Sequence, residues 1–259
     1  MEQIDGLSEL SRTLFIPLAA RAKETARDHP VVKDQKAVEI WNRCDVRDAV
    51  TDGGEISTHG ILARTKMIDG EVQTLLARHQ HAIVVNLGAG LDTRFFRLGN
   101  SMVRWYDLDL PEVISLRKKF VSENERLHFI SKSVMDPSWV KEIQCSVGDA
   151  VILIAEGLLM YFSEEDVKNI LRILEKAFPG ADMLFDVVHP FFIGKKISSD
   201  FRWGVARTSD IERLSGVSIV RSWSTGDLLK ERQSYSLRLL NVFPPTRNRS
   251  RIIHLKLKG

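Results

Sequence analysis

The loop over residues 86–94 follows a short apolar run and carries two glycines, Gly88 and Gly90. A glycine has no side chain, so a ligand can approach the backbone closely at both positions. In a dinucleotide fingerprint a third glycine would stand at position 93, where this chain has Thr93. The departure counts modestly against NAD and is compatible with a smaller nucleoside ligand that lacks a pyrophosphate. A tight turn that binds nothing is the alternative interpretation.

Carboxylates follow two further apolar runs. Asp107 and Asp109 stand 19 and 21 residues after Gly88, where an acidic side chain can accept hydrogen bonds from both hydroxyls of a ribose. Alternation along a strand places both on one side, so the pattern does not choose between them. Glu156 directly follows the apolar run 151–155, where a charge is unfavourable unless it meets water, a partner or a ligand. Solvent and a ligand remain equally open for Glu156.

The elements that must place these residues alternate between strand and helix. Apolar and often β-branched runs predict seven strands, at residues 82–86, 102–106, 127–130, 151–155, 183–188, 217–223 and 251–257. Helices are predicted from Pro111 and after Ser163, and the last strand alternates as an edge or antiparallel strand would. The pattern is typical of an α/β fold, a Rossmann-like and mainly parallel seven-stranded sheet with helices on both faces.

Residues 1–80 lack strand-like runs and are predicted to be helical, with Asp34 as the N-cap of one helix. We expect them to form an N-terminal helical cap that belongs to the same domain as the core, residues 81–259. A lid insertion is expected near residues 190–207. Together with the cap it would close a substrate site.

The composition limits the class of protein. The 259 residues are 44% apolar and 27% charged, which excludes a wholly disordered, collagenous or coiled-coil chain. A net charge of +3 is too small to require nucleic acid or an anionic membrane as partner. Without a membrane-length apolar stretch or an export signal, a cytoplasmic location is expected. Cys44 and Cys145 stand outside metal-ligand spacing, and no metal site is predicted.

Four motifs, in this order and spacing, resemble the leucine carboxyl methyltransferase family over about residues 20 to 180. They are Ala63-Arg64-Thr65 with Ile68-Asp69, the loop 86–94, Asp107-Leu108-Asp109-Leu110-Pro111, and the segment 155–162 that begins Ala155-Glu156-Gly157. The family consists of class I methyltransferases that use S-adenosylmethionine. It includes the enzyme acting on the C-terminal leucine of a protein phosphatase and the tetracenomycin-type polyketide O-methyltransferases.

The resemblance implies how the cofactor would be bound. Arg64 would reach the methionine carboxylate, which a guanidinium can bind with two hydrogen bonds. Gly88 would lie against the methionine part, and Gly90 in the same loop is also expected to bind the cofactor. Asp109 would take the ribose hydroxyls, and Glu156 would sit near the amino group.

The adenine contacts implied by the resemblance fall on Ser133 and Val134. The family often has an acidic residue at the first of these positions, so this chain departs from the pattern there. A serine hydroxyl and a backbone amide could serve instead.

The resemblance implies an O-methyltransferase that acts on a carboxylate or hydroxyl of a small, polyketide-like molecule. A carboxylate is already ionised and needs no base, whereas a phenol benefits from one. His189, Tyr161 and His29 are weak candidates for a catalytic role, and none is assigned. The alternatives are a protein C-terminal carboxyl methyltransferase, an NAD-dependent oxidoreductase and a non-catalytic S-adenosylmethionine-binding module. The oligomeric state stays open.

Overall fold

Three helices precede the sheet in the computed structural model, which describes residues 13–44, 54–79, 81–98, 102–146, 148–195, 200–215 and 217–258. They are α1 (Phe15–Thr25), α2 (Gln35–Arg43) and α3 (Gly54–Leu76). Asp34 caps α2 as predicted, since its side chain accepts a hydrogen bond from the Ala37 amide. Residues 1–12, 45–53 and 80 of the predicted cap, and residues 196–199 of the predicted lid, lie outside the described residues.

The sheet has seven strands. In chain order they are β1 (Ala82–Leu87), β2 (Val103–Asp109), β3 (Leu127–Ser131), β4 (Ala150–Ala155), β5 (Asp182–Val188), β6 (Ser218–Ser224) and β7 (Ser250–Lys256). Their spatial order is β3-β2-β1-β4-β5-β7-β6. β7 pairs antiparallel with both β5 and β6, whereas the other neighbouring pairs are parallel. The mainly parallel seven-stranded sheet is therefore confirmed. Of the two alternatives for the last strand, antiparallel is correct and edge is not, because β7 is an interior strand and β6 stands at the edge.

Further helices and turns connect the strands. They are α4 (Arg94–Leu98), α5 (Pro111–Lys118), α6 (Glu164–Ala177), α7 (Thr208–Ser215), α8 (Tyr235–Leu240) and α9 (Pro244–Arg247). Both predicted helix starts are confirmed: Pro111 opens α5, and Ser163 caps α6 in a reciprocal capping box with Asp166. No helix among the described residues is long and apolar enough to cross a membrane.

The two faces of the sheet carry separate hydrophobic cores. Along β1, Ile83 and Val85 point into a core built with α6 and α7, while Ala82 and Val84 point into a core built with α1, α2, α3 and α5. All six residues of β1 are buried, as expected of a central parallel strand with helices over both faces.

β1 lies between β2 and β4, so the chain order reverses on its two sides. In an open parallel sheet, the loops at the carboxyl ends of the strands diverge at such a point and leave a crevice for a ligand. The glycines follow β1, Asp107 and Asp109 lie at the carboxyl end of β2, and Glu156 follows β4. The fold thus brings them to one edge of the sheet.

Candidate active site

A cavity of about 430 Å³ opens at the carboxyl ends of β1 to β4. It is lined by loop residues after each of these strands, by α1 and by one side chain of α3. All of the residues implied to bind the cofactor line it, namely Arg64, Gly88, Gly90, Asp109, Ser133, Val134 and Glu156. These residues come from five segments that are far apart in the sequence.

The glycine loop forms a tight turn and also lines the cavity. Gly88 and Gly90 have φ angles of 65° and 49°, in the left-handed region that side chains disfavour. A Cβ atom at Gly88 would lie 2.6 Å from a methyl group of Leu158, in the segment after β4. The Gly88 amide donates to the Leu108 carbonyl oxygen at 2.8 Å, which ties the loop to β2. Glycine is therefore needed here for both backbone conformation and packing.

The structure separates the two carboxylates that alternation left equivalent. Asp107 is fully buried and accepts from the Trp105 indole at 2.9 Å, from the Asn86 amide at 3.0 Å and from Arg117. Asp109 lines the cavity instead. The carboxylate of Asp109 accepts from the Gly90 and Leu110 amides, each at 2.7 Å.

Glu156 lies between two guanidinium groups. Its Oε1 accepts from Arg64 Nε at 2.8 Å, and its Oε2 accepts from Arg94 Nη2. Arg64 also donates from Nη1 to Asp186 at 3.1 Å. Burial raises the pKa of Glu156, but Arg94 and Arg64 outweigh it and hold the pKa below its usual value. Glu156 is thus an anion at neutral pH that is paired on both oxygens.

Arg94 and Asp186 lie behind the cavity lining and hold Glu156 and Arg64, roles that the sequence reasoning did not identify. Arg94 is almost fully buried and pairs with Asp69 at 2.6 Å as well as with Asp92 and Glu156. Asp186 lies inside the buried strand β5. A charge within an apolar run was the signal that could have identified Asp186, since such a charge needs a partner.

Ser133 and Val134 line the cavity where β3 has ended. The Ser133 hydroxyl accepts from the Met135 amide at 3.2 Å, so it is already oriented by the turn. Val134 is buried and presents an apolar surface. The pair therefore offers one polar atom and one apolar face at this end of the cavity.

The candidates for a catalytic role are placed differently. Tyr161 lines the cavity, and its ring stands edge-on to Phe201 at 5.3 Å between centroids. Burial raises the pKa of Tyr161, so its hydroxyl stays protonated at neutral pH. His189 and His29 do not line the cavity: Nδ1 of His189 accepts from the Phe191 amide at 3.2 Å, and His29 is exposed. Among the described residues, no group of three or more His, Cys, Asp or Glu could hold a metal ion.

The family model for leucine carboxyl methyltransferase matches residues 15–175, which include α1, α3 and the cavity residues from Pro17 to Phe162. The chain belongs to the leucine carboxyl methyltransferase family. Membership confirms the resemblance seen in the sequence. Together with the relatives of the chain, it identifies the protein as an S-adenosylmethionine-dependent methyltransferase.

Two relatives of the chain are named as methyltransferases. The tetracenomycin polyketide synthesis O-methyltransferase TcmP of Streptomyces glaucescens is 29% identical over 236 residues, which cover 85% of each chain. The S-adenosyl-L-methionine-dependent methyltransferase dpfgK of Gibberella zeae is 26% identical over 66% of this chain and 62% of its own length.

Solved structures share the fold of this family member at low sequence identity. The magnesium protoporphyrin IX methyltransferase of Synechocystis PCC 6803 superposes with a TM-score of 0.52 and 14% identity, over 87% of this chain and 95% of that chain. A 1,6-didemethyltoxoflavin-N1-methyltransferase from Burkholderia thailandensis superposes with a TM-score of 0.50 and 14% identity, over 90% of this chain and 94% of that chain. At such identities the likeness supports the fold alone.

Proposed function

We propose that the chain transfers a methyl group from S-adenosylmethionine to an oxygen atom of a small organic acceptor, a carboxylate or a hydroxyl. The observation that carries the proposal is the 29% identity to a polyketide O-methyltransferase over 85% of both chains. The cavity supports it, because its lining combines polar and charged residues from the strand ends with apolar and aromatic side chains.

Asp109 fits the ribose of the cofactor. Each of its oxygens accepts one backbone amide and keeps a second lone pair for a ligand hydroxyl. Gly88 and Gly90 let the ligand approach the backbone beside it. Ser133 and Val134 would flank the adenine, with the hydroxyl as the polar contact.

The amino-acid end of the cofactor carries a carboxylate and an ammonium group. Arg64 and Glu156 line the cavity as a pair of opposite charges, which complements such a zwitterion. Arg64 would bind the carboxylate and Glu156 the ammonium group. The proposed fit therefore uses two side chains that already form an ion pair in the cavity lining.

The acceptor would contact the apolar and aromatic part of the cavity lining. That part of the lining consists of Leu14 and Pro17 from the start of the N-terminal helices, together with Tyr161, Phe162 and Phe201. Aromatic and aliphatic walls of this kind suit a flat organic molecule. In this proposal the described helices α1 to α3 cap the cavity as part of the same domain as the sheet, and Phe201, from the described part of the predicted lid, closes it.

When bound, S-adenosylmethionine supplies an electrophilic methyl group. The contribution of the protein is to align the acceptor oxygen with that methyl and to exclude water, which can provide most of the rate enhancement. Tyr161 is protonated and can donate a hydrogen bond to the acceptor. The carboxylates of Asp109 and Glu156 are held by other partners, so the described cavity residues favour an acceptor that is already ionised, a carboxylate.

The test is formation of S-adenosylhomocysteine from S-adenosylmethionine with aromatic carboxylic acids, phenols and a peptide ending in leucine. The proposal expects turnover with small acids or phenols. At limiting S-adenosylmethionine, Asp109→Ala should lower this turnover about five-fold or more because it weakens cofactor binding, whereas Glu164→Gln on the exposed surface of α6 stays as active as wild type. Turnover with the peptide alone would indicate protein methylation instead. Binding without turnover on any acceptor would indicate a non-catalytic module, and binding of NAD alone an oxidoreductase.

A further inference from the structure

Asp186 is a charged residue at the centre of the buried strand β5, and only 1% of it is exposed. Its carboxylate has two partners from different segments. Oδ2 accepts from Arg64 Nη1 at 3.1 Å, and Oδ1 accepts from the Gly157 amide at 2.6 Å. Asp186 does not itself line the cavity, although Arg64 and Gly157 both do. It therefore stands behind the cavity wall.

Arg64 is held on two of its three nitrogen atoms. Nε donates to Glu156 and Nη1 donates to Asp186, while Nη2 makes no hydrogen bond with the part of the chain that the structure describes. A guanidinium anchored in this way keeps one nitrogen for a ligand. Two anchors also remove most of the rotamer freedom that a free arginine would lose on binding.

The turn after β4 is shaped around the same guanidinium. Gly157 has a φ of 68°, and a Cβ atom there would lie 3.3 Å from Arg64 Nη2. The amide of Gly157 is the group that donates to Asp186. One buried carboxylate thus fixes both the arginine and the backbone against which Nη2 lies.

We propose that Asp186 is a positioning residue, which holds Arg64 and the Gly157 turn so that Arg64 Nη2 meets the carboxylate of the cofactor. The inference rests on the proposed role of Arg64 in binding the amino-acid end. It predicts that Asp186 contributes to binding of that end and not to binding of the adenosine end, whose polar contact is Asp109.

Two ligands separate this role from a merely structural one. S-adenosylhomocysteine has both ends, whereas 5′-methylthioadenosine has the adenosine end without the amino-acid carboxylate. Asp186→Asn keeps an oxygen that can accept from Gly157 but removes the charge beside Arg64. A general distortion of the cavity would weaken both ligands, while a misplaced Arg64 weakens S-adenosylhomocysteine alone.

The experiment is calorimetric titration of wild type and Asp186→Asn with each ligand. We expect the Kd for S-adenosylhomocysteine to rise about ten-fold or more and that for 5′-methylthioadenosine to stay within about two-fold. Asp182→Asn is the matched control, because Asp182 lies on the same strand and pairs with His254 at 2.9 Å outside the cavity lining. Equal losses for the two ligands, or no loss for either, would overturn the proposal.

A double-mutant cycle tests whether Asp186 acts through Arg64. In an Arg64→Ala background, adding Asp186→Asn should change the Kd for S-adenosylhomocysteine by less than about two-fold. A further loss of about ten-fold in that background would contradict the proposal. If Asp186→Asn does not fold, Asp186→Glu replaces it, because the longer side chain keeps the charge but displaces Arg64. We again expect weaker binding of S-adenosylhomocysteine alone. An equal loss of affinity for S-adenosylhomocysteine and 5′-methylthioadenosine would overturn the inference.

These titrations need no acceptor, so they are independent of the methyl-transfer test. Wild type that binds S-adenosylhomocysteine but methylates nothing would refute the proposed function and leave the Asp186 result standing. A normal enzyme whose Asp186→Asn variant keeps full affinity would refute the inference alone. Wild type that does not bind S-adenosylhomocysteine would refute both.

Discussion

Each carboxylate oxygen of Asp109 accepts a hydrogen bond from a backbone amide, that of Gly90 or that of Leu110, and the side chain lines the cavity. Burial is the largest influence on its pKa and raises it above the usual value, although the two amides partly compensate. Glu156, on the neighbouring loop, has its pKa lowered by two arginines despite its burial. The pKa values of these two cavity acids are thus shifted in opposite directions, because amides contact Asp109 and guanidinium groups contact Glu156.

At this scale we predict that Asp109→Ala weakens binding of S-adenosylhomocysteine by about 1–3 kcal/mol, because the ribose hydroxyls lose a charged acceptor. Calorimetric titration measures it. Glu112→Ala is the control, since Glu112 is exposed near the start of α5 and does not line the cavity. An unchanged Kd for Asp109→Ala would show that the ribose is bound elsewhere.

Several elements are joined through Arg94. Arg94 is the first residue of α4. Its guanidinium pairs with Asp69 of α3, Asp92 of the glycine loop and Glu156 after β4. Desolvation opposes the charge on Arg94, but the three carboxylates raise its pKa well above the usual value. Arg97 supports the same cluster through Asp69 at 2.8 Å and through Asp34, which caps α2. These ion pairs link the N-terminal helices to the sheet.

Arg94→Met is therefore expected to lower the free energy of unfolding by about 3 kcal/mol, because it leaves buried carboxylates with fewer partners. Arg97 and Arg64 still neutralise part of the charge, so a larger loss is not expected. Urea denaturation followed by circular dichroism measures the change. Arg172→Met, on an exposed position of α6, should change the stability by less than about 0.5 kcal/mol. Equal effects of the two substitutions would contradict this account of the cluster.

The start of α6 gives a second prediction for an element. Ser163 accepts from the Asp166 amide, and Asp166 accepts from the Ser163 amide in return. Ser163→Ala should cost about 1 kcal/mol of unfolding free energy in the same urea experiment. Asn169→Ala, exposed in the middle of the helix, should cost nothing. A loss below about 0.3 kcal/mol for Ser163→Ala would show that the cap is redundant.

Across the whole molecule, a buried polar cluster joins α3 to the C-terminal segment. His59 is buried, its Nε2 lies 3.0 Å from the Leu228 carbonyl oxygen, and its Nδ1 lies 3.1 Å from Arg249 Nη2. Burial, followed by the charge of Arg249, lowers the pKa of His59 below its usual 6.5. A neutral ring that donates from Nε2 and accepts at Nδ1 satisfies both contacts.

The folded state therefore disfavours the protonated ring, and the unfolded chain binds more protons below about pH 6.5. The contribution of His59 to stability is present above that pH and is lost as the pH falls below it toward the lowered pKa. Urea denaturation at pH 7.5 and 5.5 should show a smaller pH-dependent loss for His59→Gln than for wild type. His79→Gln, at an exposed position after α3, should leave the dependence unchanged. Parallel curves for wild type and His59→Gln would contradict the prediction.

Local features of the sequence were enough for the elements and part of the site. Apolar runs gave the seven strands, and polar caps such as Asp34 and Ser163 gave helix starts, because both depend on neighbours within a few residues. The glycine loop was visible for the same reason. Resemblance to the family added the choice of Asp109, which spacing alone had left open.

Tertiary structure decided what depends on residues far apart in the chain. The interior place of β7 follows from its pairing with β5 and β6, which no local pattern encodes. The partners of Glu156 come from α3 and α4, 92 and 62 positions away, and Asp186 meets Arg64 across 122 positions. The residue type alone gives the charge that each side chain can carry. Its pKa and role depend on partners that are distant in the sequence, so only the tertiary structure determines them.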